Sequence, residues 1–245
     1  MKGQKTMKFS KSLLLLSSMM LLAACGNNPS PKSEPSTPET TSEESVVAKS
    51  FNLTASYKTT EGNSFDVKTV VSLGADTAMS DLSFTLADSD GFSITDGVVS
   101  ATKRGVALVT VALKDSVLSS KVFTLTFAPE TYMNTNYSGK TISGRDAQLE
   151  PVYDEGATFY LALSGTSFNL NIEAGKVKKG DDIVDIAAVN FSGTIGETEE
   201  GLLSFTSNQE GYAAMTGGFS FINDIFTLTL KYSAELPAVN LRRVA

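Results

Sequence analysis

Hydrophobic and polar residues alternate with a period of two along most of the chain beyond residue 50. Phe65 and Val67 alternate with Asp66 and Lys68, and Val71 and Leu73 flank Ser72. Leu82, Phe84 and Leu86 alternate with Ser83 and Thr85, and Phe123, Leu125 and Phe127 with Thr124 and Thr126. Such alternation places apolar side chains on one face of an extended strand and buries that face. Asp88-Ser89-Asp90-Gly91 and Asp96-Gly97 fall between apolar runs and have turn chemistry. No convincing helical period interrupts the pattern. About seven short strands over residues 51–129 predict a two-sheet sandwich.

Residues 130–245 continue the alternation in longer runs. Tyr137–Gly144 opens the region, and Thr158–Leu163, Ser167–Ile172, Ala188–Ile195, Leu202–Thr206, Gly218–Phe221 and Phe226–Tyr232 follow. Several breaks contain Gly, as at Ser164-Gly165. Adjacent runs joined by short turns pair antiparallel, so a meander is the economical topology. About eight strands can close into a small barrel, which removes exposed sheet edges. The expected fold is all-β, a β-sandwich followed by an antiparallel β-meander or small barrel.

Phe92–Leu113 reads FSITDGVVSATKRGVALVTVAL. Its Asp96-Gly97-Val98-Val99-Ser100-Ala101 and Gly105-Val106-Ala107-Leu108-Val109-Thr110-Val111 resemble the core of bacterial immunoglobulin-like domains of group 2. The resemblance covers about 80 residues and implies an immunoglobulin-like sandwich over 51–129, of a kind found in extracellular structural or adhesive modules. The matching motif is scaffold and carries no binding residues with it.

The first 50 residues differ in kind. Lys2, Lys5, Lys8 and Lys11 precede an uncharged apolar segment, Leu13–Ala24, interrupted only by Ser17 and Ser18. A basic lead, a short apolar run and small residues describe a secretory signal peptide. The run falls short of the roughly 20 residues that a spanning helix needs. Leu22-Ala23-Ala24-Cys25 resembles the lipobox of bacterial lipoprotein signal peptides. That resemblance implies removal of residues 1–24, a diacylglyceryl group on the Cys25 thiol, and attachment of Cys25 to a membrane. The expected location is the extracytoplasmic face of the cell membrane, or of the outer membrane in a host with two. Residues 25–50 hold four of the seven prolines among Ser, Thr and Glu. With little to bury they are expected to form a disordered linker. In layout the C-terminal region resembles small lipocalin-like or calycin-like domains of bacterial lipoproteins.

Charge changes the picture once the leader is set aside. The 245-residue chain carries a net −7, and its first 24 residues hold four Lys and no acid. The remainder has 16 basic and 27 acidic residues, a net of −11. This argues against nucleic-acid binding, which needs clustered Lys and Arg. It also repels an anionic bilayer, so lipid rather than charge must anchor the chain. Cys25 is the single cysteine, so no intrachain disulfide forms and the core alone must stabilise the fold.

The chain contains no His, which removes Ser-His-Asp and Cys-His catalysis and His-ligated zinc. Ser100-Ala101-Thr102-Lys103 has Ser-x-x-Lys spacing, but in a hairpin rather than on the helix that such enzymes use. Asp181-Asp182 and the cluster Glu197, Glu199 and Glu200 read as an exposed turn and a solvated hairpin tip. Asp88, Asp90 and Asp96 have the oxygen ligands calcium uses, but a plain Asp-Gly turn accounts for them. Six of the seven tyrosines lie beyond residue 130, on core or strand faces or poised for sugar or peptide contact. No catalytic residue, metal ligand or cofactor site is expected. The expected role is a non-enzymatic, surface-exposed lipoprotein with a structural, adhesive or binding function. Its partners are the membrane, through the lipid on Cys25, and an extracellular protein or glycan. The alternative is a small-molecule or lipid-binding lipoprotein that holds its ligand in the C-terminal barrel.

Overall fold

The computed structural model describes residues 48–116 and 119–244, all within one compact unit, Val46–Ala245. Cys25, the expected signal peptide and most of the expected linker lie outside the described residues. Nine strands come first. They are β1 (Phe51–Leu53), β2 (Tyr57–Thr60), β3 (Ser64–Asp66), β4 (Val71–Leu73) and β5 (Leu82–Leu86), then β6 (Phe92–Thr95), β7 (Val98–Ala101), β8 (Gly105–Leu113) and β9 (Ser120–Phe127). One sheet has the order β2-β9-β8-β5 and a second the order β3-β7-β6, while β1 pairs with β4. All pairs are antiparallel except β2 with β9.

Alternation places the core of this sandwich. In β8, Ala107, Val109, Val111 and Leu113 are buried, and in β9 Phe123, Leu125 and Phe127 meet them. Leu108 and Val122 point the other way and are 43% and 56% exposed. The two-residue link between β6 and β7 is Asp96-Gly97, with φ of 46° and 77°. Both angles suit the tight hairpin turn whose twist matches the strands. One stretch departs from the predicted alternation. β3 ends at Asp66, and Val67–Val70 forms a 3-10 turn. The Asp66 carboxylate accepts the Lys68 N–H at 3.0 Å, and the Thr69 hydroxyl donates to the Asp66 carbonyl at 2.7 Å. These local bonds compete successfully with the ladder for the backbone.

Twelve strands follow: β10 (Asn136–Lys140), β11 (Gly144–Arg145), β12 (Pro151–Val152), β13 (Thr158–Ser164), β14 (Ser167–Ile172) and β15 (Gly175–Lys179), then β16 (Asp182–Ile186), β17 (Val189–Glu197), β18 (Leu203–Ser207), β19 (Ala214–Ile222), β20 (Ile225–Lys231) and β21 (Val239–Arg243). Eight of them close a barrel in the order β10-β13-β14-β17-β18-β19-β20-β21. Closure comes from β21 returning to β10, with Tyr137 opposite Arg243 and Ser138 opposite Arg242. Every pair in the barrel is antiparallel. Eight strands leave an interior about wide enough for side chains to fill. Phe159, Leu161, Leu170, Phe205, Met215 and Leu228 are among those that do. Rings meet inside it: Phe159 and Tyr232 lie 4.7 Å apart, Phe219 and Phe226 5.0 Å, and Phe168 and Phe205 5.3 Å.

The sandwich and the barrel are pinned to one another. The Ser56 and Tyr57 N–H groups donate to the Glu200 carbonyl at 3.1 and 2.9 Å. Lys58 binds both carboxylate oxygens of Glu197 at 2.9 and 3.0 Å. The Thr126 hydroxyl is fully buried, donates to the Phe219 carbonyl at 3.0 Å and lies 3.3 Å from the Tyr57 hydroxyl. Tyr132, just past the sandwich, stands edge-on to Phe219 at 4.9 Å. The Tyr137 hydroxyl donates to the Tyr132 carbonyl at 2.8 Å.

Gly201 allows the closest of these approaches. Its φ is +88°, and an added Cβ would strike the Tyr57 carbonyl oxygen. Gly201→Ala therefore combines a left-handed penalty of about 1–2 kcal/mol with a backbone collision. It is expected to lower unfolding stability in urea by at least about 2 kcal/mol. Unchanged stability would mean that the junction does not depend on this contact.

Candidate functional site

The residues singled out from sequence disperse in the fold. Ser100 lies on β7, and Lys103 turns away to an ion pair with Asp90. Asp96 pairs with Lys68 at 3.1 Å, and the Asp88 carboxylate accepts the Asp90 N–H at 2.9 Å. Among the described residues no three Asp, Glu, His or Cys side chains converge on one point. Asp181 and Asp182 sit at the β15–β16 turn, where Gly180 has φ of 60°. The loop Glu197–Glu200 is more than a solvated tip, since it carries the backbone and ion-pair contacts to β2.

The tyrosines divide by environment. Tyr137 and Tyr232 are buried, Tyr132 and Tyr212 are half-buried against the barrel core, and Tyr153 and Tyr160 are exposed. Burial holds the Tyr132 and Tyr232 hydroxyls protonated, pushing each pKa up to about 12, and raises Tyr137 as well. A raised folded-state pKa leaves stability intact below the unfolded value near 10 and removes it as pH rises toward 12. The thermal midpoint is therefore expected to hold up to about pH 9.5 and then fall. Each such tyrosine contributes up to about 1.4 kcal/mol per pH unit. Melting curves followed by circular dichroism check this, and a midpoint unchanged at pH 12 would refute it.

The most organised concavity is outside the barrel. The β10–β13 connection carries β11 and β12, and the β14–β17 connection carries the β15–β16 hairpin. The two excursions meet. The Lys178 N–H donates to the Ile142 carbonyl at 2.7 Å, and the Thr141 hydroxyl to the Lys176 carbonyl at 2.6 Å. The hairpin's far end is tied by Lys179 to Glu235 at 3.0 Å. Between this lobe and the outer faces of β10 and β21 lies a cleft of about 790 Å³.

Strand alternation sets the floor of the cleft. Tyr137 on β10, and Val239 and Leu241 on β21, point into the barrel and are buried. Ser138, Lys140, Asn240 and Arg242 take the alternate positions and line the cleft. Lys178, Arg145 and Tyr153 line it from the lobe. No carboxylate lines it, and among the described residues none of the four cations has one within 4.0 Å. The Arg145 guanidinium donates to the Leu149 carbonyl. A second, shallower hollow of about 520 Å³ lies over β13, β14 and β17 and has no charged lining.

The groups in the larger cleft are ammonium, guanidinium, hydroxyl and amide. They can bind and orient an anion, and they include no carboxylate, imidazole or thiol to serve as base or nucleophile. None of Arg145, Lys140 and Arg242 stands out in the sequence, because they come from segments far apart in the chain. A search of protein-family models, of characterised proteins and of solved structures finds no match to this chain.

Proposed function

We propose that this chain is a membrane-anchored bacterial lipoprotein, held by a lipid on Cys25 and exposed on the extracytoplasmic face. Its role is non-enzymatic: structural, adhesive or binding. The observation that carries the binding role is the combination of a side-chain-filled barrel with a preformed cleft on its outside. A scaffold that is solid within and shaped without suits recognition at its surface. The aromatic packing inside the barrel favours this over a ligand held in the lumen.

Other features are in keeping with it. A four-stranded sheet, β2-β9-β8-β5, beside a three-stranded one, β3-β7-β6, supports reading residues 51–129 as an immunoglobulin-like sandwich. The pinned junction presents sandwich and barrel as one body beyond the linker. No helix of the described residues is long and apolar enough to cross a membrane. The test is processing and acylation. The native chain is shortened and carries an acyl label, and Cys25→Ser is unlabelled and keeps the full, uncleaved length. A labelled, membrane-bound Cys25→Ser chain would refute the anchor.

A further inference from the structure

We propose that the outer cleft of the barrel binds an anionic saccharide, a sugar bearing carboxylate or phosphate groups. The proposal rests on the binding role above and names the ligand class.

Charge is the first reason. Four cations, Lys140, Arg145, Lys178 and Arg242, line one cleft without a carboxylate partner among the described residues. Of the eleven other described Lys and Arg residues, six do have such a partner. In a chain with acids in excess, cations that find no acid are poised for an external one. Arg and Lys are the side chains that bind carboxylate and phosphate oxygens by charge-assisted hydrogen bonds.

Preorganisation is the second. The contrast between Lys178 and Lys179 shows the wall being set: Lys179 goes out to Glu235, and Lys178 faces the cleft on the opposite side of β15. The lobe is fixed by backbone bonds and by the buried Thr141, so the backbone positions that carry the cations are set before a ligand arrives. A fixed backbone lowers the ordering cost of binding to that of the side chains.

Shape and polarity supply the ligand class. About 790 Å³ is in the range of small-molecule sites, large enough for a short saccharide. Ser138, Asn223 and Asn240 offer hydroxyl and amide groups for sugar hydroxyls. Tyr153 is 44% exposed at the cleft and offers an apolar ring face with a polar tip. The acid excess of the rest of the chain disfavours nucleic acid and a flat anionic bilayer.

The experiment uses the full chain extracted in a neutral detergent, titrated calorimetrically at low salt. The probes are trigalacturonic acid, glucose 1,6-bisphosphate and neutral maltotriose, with vesicles containing phosphatidylglycerol as a separate arm. At least one of the two charged sugars is expected to bind saturably and maltotriose not at all, and the better charged probe tells carboxylate from phosphate. Lys178→Gln combined with Arg242→Gln is expected to weaken that binding at least about ten-fold. Lys121→Gln with Lys231→Gln removes the same charge at exposed sites outside the cleft, and is expected to leave it within about two-fold. Both pairs spare the backbone bonds, and a melting curve on each confirms folding. No binding by either charged sugar overturns the proposal. So does equal binding of maltotriose, equal weakening by both double variants, or binding to the vesicles alone. Failure here leaves the Cys25 anchor standing, and loss of the anchor leaves this titration unaffected.

Discussion

Phe219→Ala is expected to cost about 3–5 kcal/mol of stability, the range for deleting a fully buried aromatic side chain. Phe219 lies inside the barrel at 1% exposure. Its ring stacks on Phe226 at 5.0 Å, receives the edge of Tyr132 at 4.9 Å and meets Tyr137 at 5.6 Å. Its own carbonyl accepts the buried Thr126 hydroxyl of the sandwich. Truncation removes the ring from three aromatic neighbours at once, and the β-ladder on either side resists collapse into the space. Against a total stability of roughly 5–15 kcal/mol, the loss shifts the thermal midpoint by about 10 °C. Phe219→Leu keeps most of the volume and is expected to cost less than half as much. Chemical unfolding of the three chains measures this. An alanine variant within 1 kcal/mol of the native chain would mean that the interior is loosely filled.

Cys25→Ser is expected to have the largest effect on location and none on the fold. Each buried methylene contributes about 0.8 kcal/mol, and a single acyl chain gives only marginal, reversible binding with K near 10⁴ M⁻¹. Two acyl chains, as proposed for Cys25, make attachment stable. A serine cannot form the thioether, so both are lost together with the cleavage that depends on them. The chain beyond residue 25 has 27 acidic and 16 basic residues and offers no electrostatic substitute. Fractionation should move essentially all of the variant out of the mature membrane pool. Its core residues lie far along the chain from position 25, so the melting curve of the folded part should not change.

Much of this architecture can be read from alternation alone. Phe-x-Leu runs such as those of β9, β13 and β20 fix both the strand and its buried face. The expected sandwich, with about seven strands, has nine; β4 is legible where Val71 and Leu73 flank Ser72, whereas β1 is a three-residue strand too short to show a period. β21 escapes notice because Val239 and Leu241 are its only core residues, and Asn and Arg occupy the rest. Yet β21 closes the barrel. The β15–β16 hairpin is also hidden, since GKVKK and DIVDI bury little beyond Val177 and Ile186. The cleft depends on both of these elements, so its cations could not be grouped from sequence. Thr126 shows the same limit. It takes the polar position in an alternating strand, but a second module covers that face and buries it.

The account turns on whether the barrel is solid, because a hollow lumen would move the binding role from its outer face to its interior. Xenon settles the point, since it occupies apolar cavities and is excluded from filled cores. In crystals pressurised with xenon, the native barrel is expected to show no xenon inside, and Phe219→Ala is expected to show it in place of the missing ring. Xenon within the native lumen would contradict the filled interior and favour a ligand-holding barrel.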